Sequence, residues 1–217
     1  MILHKENITE NMDKVAKVIF DTLDKDFYLA GGTALALRIG HRKSIDLDYF
    51  INKDFDTLQL KNKILEIFHS ERPASAGRRV QILFEEKNTL WCLIDGVKVS
   101  FISRFDILLD QAEVIDNFRL IGTKDITVMK LSAICGREEY KDYFDLACIA
   151  NITDVRSWIF WWQKVYENVD ITSWIIALSA VDMIQEIPLE ISENFKNKNI
   201  QIDIKKITQE ITEILKK

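Results

Sequence analysis

One stretch limits the fold of this chain more than any other. Phe27-Tyr28-Leu29-Ala30 is short, apolar and aromatic and runs into Gly31-Gly32, after which Thr33 precedes the strong helix formers Ala34-Leu35-Ala36-Leu37. That order reads as strand, glycine turn, helix. Past Gly40 the polar run His41-Arg42-Lys43-Ser44 breaks the helix, and Ile45-Asp46-Leu47-Asp48-Tyr49-Phe50 alternates with period two, as a half-exposed strand does. Asp46 and Asp48 are therefore expected on one face of that strand.

The rest of the chain divides in two. Residues 8–23 have helical spacing, with Thr9 placed to cap the helix, and residues 55–68 return to that spacing. Pro73-Ala74-Ser75-Ala76-Gly77 marks a loop, and three short strands are expected over 80–84, 89–94 and 97–102, the last two joined by the hairpin signal Asp95-Gly96. From Lys124 onward the pattern is helical, over 126–134, 140–150, 155–169, 173–187 and 204–215. The fold class expected is α+β, with an α/β domain over 1–120 and a helical domain over 121–217. No long flexible linker separates the halves, so they should pack together with the chemistry at their seam.

Composition narrows the function. With 47% hydrophobic and 29% charged residues, the chain is an ordinary globular protein rather than a disordered or collagen-like one. A formal charge of -5 leaves no global positive field for a phosphate backbone, so nucleic-acid binding needs a local patch. Arg72, Arg78 and Arg79 with Lys87 form one candidate patch. Three cysteines without a CxxC pair argue against a disulfide framework or a zinc knuckle. Cys135 and Cys148 are expected as small core residues. The N-terminus has no apolar signal region, and Trp158 to Trp162 is too short to span a bilayer, so a cytoplasmic protein is expected.

Two constellations carry chemistry. Two carboxylates on one strand face, ~7 Å apart at the backbone, repel each other unless a divalent cation lies between them. Their simplest use is to hold magnesium, which takes one or two carboxylates and completes its shell with phosphates and water. The preceding Gly31-Gly32-Thr33 turn supplies the complement, a backbone that approaches a phosphate closely and a helix N-terminus with free N–H groups. Arg42 and Lys43, with His41, stand just before the carboxylate strand, where they can touch a triphosphate or an acceptor phosphate.

The second constellation runs from Asp125 and Lys130 to Arg137, Lys141, Asp142 and Asp145. Asp142 and Asp145 share a helix face at i,i+3. Lys130 would be a compact charge on a triphosphate, and Asp145 a general base or an orienter of the attacking hydroxyl. Standing alone, such charges are more simply a solvated, salt-bridged helix face. Trp158, Trp161 and Trp162 follow a core stripe rather than a stacking surface.

These residues resemble the DNA polymerase beta-like nucleotidyltransferases, and more closely the AbiEii-like abortive-infection toxins, through residues 29–37 and 41–50 and then the Asp-x4-Lys and Lys-Asp-x2-Asp-Leu helices. The likeness covers about residues 27 to 150. It implies a polymerase beta-like sheet flanked by helices and followed by a helical bundle. It also implies transfer of a nucleoside monophosphate from a nucleoside triphosphate to an acceptor hydroxyl. By the same likeness Asp46 and Asp48 hold Mg2+ or Mn2+, Gly32 and Thr33 cradle the triphosphate, Lys130 binds its phosphates, and Asp145 is catalytic or orients the substrate. Asp125, Arg137, Lys141 and Asp142 stand beside them as possible supporting residues. The resemblance implies further that the acceptor is a tRNA 3′ end and that a regulator-like antitoxin protein is the partner, with no membrane involved. One departure is plain: Ser100 stands where such enzymes usually carry a third strand carboxylate. That departure keeps a non-catalytic nucleotide-binding module open, and transfer to a small molecule, as in antibiotic nucleotidyltransferases, is the other alternative.

Overall fold

A computed structural model describes residues 2–69 and 80–216. The loop expected at 73–77 and the arginines Arg72, Arg78 and Arg79 lie outside the described residues. Thr9 caps the first helix, α1 (Glu10–Thr22), its side chain accepting from the Met12 N–H. The short strand β1 (Tyr28–Leu29) then feeds directly into α2 (Gly31–Ile39), and β2 (Asp46–Ile51) follows. Beyond α3 (Thr57–His69) come β3 (Val80–Glu86), β4 (Thr89–Ile94) and β5 (Val97–Ser103). Asp95 and Gly96 both take positive φ, 48° and 81°, which is the primed turn that matches the twist of paired strands.

Two further strands, β6 (Glu113–Ile115) and β7 (Phe118–Leu120), complete a seven-stranded mixed sheet of order β3-β4-β5-β2-β1-β7-β6. Their periodicity is too short to register in the sequence. Pairing supplies what propensity does not, because β7 lies parallel to β1 and antiparallel to β6. β2 sits at the middle of the sheet, antiparallel to β1 and parallel to β5, with Asp48 directly opposite Ser100.

The helical half comprises α4 (Thr123–Gly136), α5 (Tyr140–Ile149), α6 (Arg156–Val165), α7 (Thr172–Ser179) and α8 (Ile200–Leu215). Four sequence expectations are corrected here, the first being the helix expected over 155–169, which ends at Val165. The helix expected over 173–187 ends at Ser179 and continues only as a 3-10 turn over Val181–Met183, while α8 begins at Ile200, where Asn199 caps it by accepting from the Ile202 N–H. Cys135, expected in the core, is exposed, whereas Cys92 and Cys148 are buried. Trp158, Trp162 and Trp174 are buried, while Trp161 of the expected stripe is only partly buried against the core.

The halves share one apolar core. Leu47, Tyr49 and Ile51 of β2 point into it, together with Leu90, Cys92, Val99 and Phe101 of the neighbouring strands. Phe101 is fully buried, edge-on to Phe27 at 5.4 Å and stacked on Tyr49 at 5.5 Å between ring centroids. Alternation then forces Asp46, Asp48 and Phe50 onto the opposite face. Phe101→Ala is expected to lower the unfolding free energy by about 3–5 kcal/mol, through lost transfer energy and a cavity, as measured by urea denaturation.

Candidate active site

The site is built where α2 leaves β1. The Ala30 N–H donates to the Asp48 carbonyl at 3.0 Å, so the glycine turn begins beside the Asp46-x-Asp48 strand. Gly31 has φ +64°, a left-handed conformation that side chains disfavour, and a Cβ there would stand 3.4 Å from Asp48 Oδ2. Gly32 faces a different neighbour: a Cβ on it would lie 2.6 Å from Arg42 Nη2. Gly31 is thus required by its positive φ, and Gly32 by the close approach of the Arg42 guanidinium. No side chain caps the first turn of α2, which leaves its amides available to an anion.

Thr33 is buried, its hydroxyl set against the Asp46 carbonyl and 2.7 Å from Ser44 Oγ. Since a carbonyl only accepts, Thr33 donates to it and Ser44 donates to Thr33. This side chain locks α2 to β2.

Asp46 and Asp48 are both partly exposed on one strand face. Burial raises the Asp46 pKa above its ordinary value, the Asp48 charge adds to that, and Lys98, Lys141 and Arg42 pull the other way. Ser100 Oγ donates to Asp48 Oδ1 at 2.6 Å, at the position expected for a third carboxylate. Among the described residues, no group of three or more His, Cys, Asp or Glu gathers as a metal cluster. The pair alone nevertheless suits a hard cation that needs one or two carboxylates, and a bound cation would offset both the burial and the Asp48 charge that raise the Asp46 pKa.

Behind this pair lies a buried ionic network. Asp145 is fully buried and accepts at Oδ1 from Arg42 Nε at 2.7 Å and His41 Nε2 at 2.8 Å. Its Oδ2 accepts from Arg42 Nη2 at 2.9 Å and is ion-paired with Lys130 Nζ at 2.5 Å. Both carboxylate oxygens are therefore engaged by basic side chains. Burial alone would raise the Asp145 pKa, but Lys130, Arg42 and His41 together outweigh it and hold the group well below the ordinary carboxylate range. Burial lowers the pKa of His41 against the opposing pull of Asp145, and its buried Nδ1 has no hydrogen-bond partner among the described residues.

The other expected site residues fall on either side of this network. Lys130 is buried and also donates to Asp142 Oδ1 at 2.6 Å, while Arg137 Nε donates to Asp142 Oδ2 at 2.8 Å. Arg137 is half-exposed; burial alone would lower its pKa, but its bond to Asp142 and the charges of Asp142, Glu139 and Asp48 outweigh that and raise it. Lys141 pairs with Glu139 at 2.7 Å. Lys43 turns to Glu190 at 2.6 Å and so belongs to the seam with the C-terminal segment, where Arg42 bridges to Ile191. Asp125 lies apart, accepting from the N–H groups of Leu109 at 2.7 Å and Asp110 at 3.1 Å. It fixes the loop before β6. Reading the sequence alone left out Lys98 as a charge near Asp46 and His41 as a support for Asp145. The alternation of β5 carries the signal for Lys98, whereas nothing local marks His41.

A central β2 with paired carboxylates, an uncapped glycine turn and helices closing over them define a nucleotidyltransferase-type fold. Residues 15–212 match the family of the nucleotidyl transferase AbiEii toxin, of a type IV toxin–antitoxin system, and the chain belongs to that family. It is 38% identical over 141 residues to aq_aa25 of Aquifex aeolicus strain VF5, a protein described as uncharacterized, the match covering 63% of this chain and 64% of that one. Among solved structures, JHP933 from Helicobacter pylori superposes with TM-score 0.52 at 17% identity, covering 96% of this chain and 95% of that one, which shows a shared fold. MenT4, a nucleotidyltransferase toxin from Mycobacterium tuberculosis H37Rv, aligns at TM-score 0.49 and 14% identity over 93% of this chain and 82% of its own.

Two expected outcomes follow from the opposite states of the two carboxylate sets. A raised pKa means that ionised Asp46 opposes folding, a cost absent below the unfolded value of 3.8 and imposed as pH rises through the folded one. Asp46→Asn should therefore raise Tm over the metal-free parent at pH 7, with the gap closing as pH falls below 3.8. Asp145→Asn should do the reverse, leaving buried cations under-paired and lowering stability by roughly 3–5 kcal/mol in urea titrations at pH 7.

Proposed function

We propose that this chain is a nucleotidyltransferase that moves a nucleoside monophosphate from a nucleoside triphosphate to an acceptor hydroxyl, with a tRNA 3′ end as the acceptor. In this reading it acts as the toxin of a pair and is restrained by a cognate antitoxin. The observation that carries the proposal is the Asp46–Asp48 pair set directly against the Gly31-Gly32 turn and the uncapped start of α2. Family membership supports the reaction class, and the acceptor and partner rest on the family alone.

Asp46 and Asp48 would hold the divalent cation, magnesium or manganese, whose bound charge offsets that of the phosphates and of the entering oxygen. The chain's own groups do the rest by positioning and charge. Amides of the Gly31-Gly32 turn bind phosphate oxygens without needing a side chain, and the start of the α2 dipole favours them. Exposed Lys98 and half-exposed Arg137 and Lys141 meet the remaining negative charge. Arg42 keeps N–H groups beyond those spent on Asp145 and Lys43, and its Nη2 stands against the glycine turn.

Asp145 and Lys130 act differently from a base and a phosphate ligand in this scheme. With both Asp145 oxygens engaged by basic side chains and both residues buried, they hold Arg42 in place. Proton removal from the acceptor then falls to water or to the partly exposed carboxylates of β2.

Incubating the protein with magnesium, each of the four alpha-labelled nucleoside triphosphates and total tRNA tests the proposal. Label is expected on RNA with the parent, and a loss of at least ~100-fold with Asp48→Ala, in line with removal of a group that stabilises charge in the transition state. Label that survives in Asp48→Ala, or none on RNA with the parent, would overturn the assignment.

A further inference from the structure

The face of the sheet that carries Asp46 and Asp48 does not end at β2. Asp48 pairs with Ser100, Ser100 with Trp91, and Trp91 with Phe84, so these four residues form one row across β2, β5, β4 and β3. Directly opposed residues share a face. The row thus leads from the paired carboxylates to two aromatic rings, each strand step adding ~4.8 Å.

Those rings are exposed, 38% for Trp91 and 40% for Phe84, and they lie 4.9 Å apart at an interplanar angle of 40°. Phe84 reaches this face through a deliberate irregularity. The pairing of β3 with β4 shifts between Ile82, opposite the buried Cys92, and Phe84, opposite Trp91, with Leu83 as the extra residue. Without that bulge Phe84 would share the face of Ile82 and point toward the core. Bulges beside functional sites commonly re-aim a side chain in this way.

Position relative to the phosphate cradle then selects the ligand. In the sheet order, β1 and its Gly31-Gly32 turn stand on one side of β2, while β5, β4 and β3 stand on the other. Displacement at phosphorus is in line, so the attacking oxygen enters opposite the leaving pyrophosphate. With the triphosphate on the glycine side, the acceptor comes in over β5 and β4. Lys98 Nζ lies 5.9 Å from the Trp91 ring centroid, which suits a strand with phosphates between its bases and opposes a polycationic small molecule.

We infer that Trp91 and Phe84 form a stacking platform for an unpaired base near the 3′ end of an acceptor RNA strand. This rests on the transferase reading above for the direction of entry, but the platform itself is tested by binding. A fluorescein-labelled single-stranded RNA of about twelve nucleotides is titrated with the full chain and no nucleotide, alongside the same RNA as a duplex. Trp91→Leu should weaken single-strand binding roughly 5- to 150-fold, the span of one lost base stack, and Trp91→Phe should stay near the parent. Phe84→Leu gives a second, independent variant, and Tm reports that each variant is folded.

Equal affinity in the parent, Trp91→Leu and Phe84→Leu would overturn the platform, as expected if the patch instead meets a protein. So would equal losses in Trp91→Phe and Trp91→Leu, a preference for duplex, or no binding of single-stranded RNA. Failure of label transfer with the RNA-binding differences intact would instead remove the transferase reading and leave the platform standing.

Discussion

The carboxylate of Asp145 is the joint on which the site depends. It ties together the loop after α2, through His41 and Arg42, and two helices of the second half, through Lys130 on α4 and its own position on α5. A buried charge is tolerated only when paired and hydrogen-bonded, and removing one partner leaves the others uncompensated. The start of α2 is therefore shaped by residues about a hundred positions downstream. Gly32 belongs to the same constraint, since any Cβ there would displace the guanidinium that Asp145 holds. The helical half completes the ionic frame around the glycine turn as well as covering the sheet.

What the sequence disclosed is what local rules encode. The alternation of β2, the Thr9 cap, the Asp95-Gly96 turn and the burial of Trp158 and Trp162 each follow from spacing or backbone preference within a few residues. β6 and β7 escaped notice because three residues carry no readable period, and α7 stops short because the apolar run beyond it continues as a 3-10 turn. The roles of charged residues were the least legible. Asp142 and Asp145 at i,i+3 look the same whether a helix face is solvated or buried, and only the distant Arg42 decides between the two. Asp125 shows the same ambiguity, with its carboxylate spent on backbone amides of a neighbouring loop.

The two carboxylate sets are held in opposite electrostatic states. Asp145 is over-compensated, with cations close enough to outweigh complete burial, and its ionised form contributes to stability. Asp46 is under-compensated, because burial and Asp48 raise its pKa against the weaker pull of Lys98, Lys141 and Arg42. An over-compensated carboxylate orders its neighbours and resists change. An under-compensated one is a standing preference for an added positive charge, which is how strain at a site is converted into binding.

Ser100 fits this balance better than a third carboxylate would. Its position opposite Asp48 is set by the parallel pairing of β2 with β5, so an acidic side chain there would load another negative charge onto a pair whose repulsion already shows in Asp46. The hydroxyl instead donates to Asp48 Oδ1 and fixes that carboxylate, while Oδ2 lies toward the Gly31 turn. Two acidic charges then face the cleft, the number one divalent cation neutralises, and the row beyond Ser100 is free to turn from charge to aromatic surface at Trp91. Ser100 thus marks where this face of the sheet changes from paired carboxylates to exposed aromatic rings.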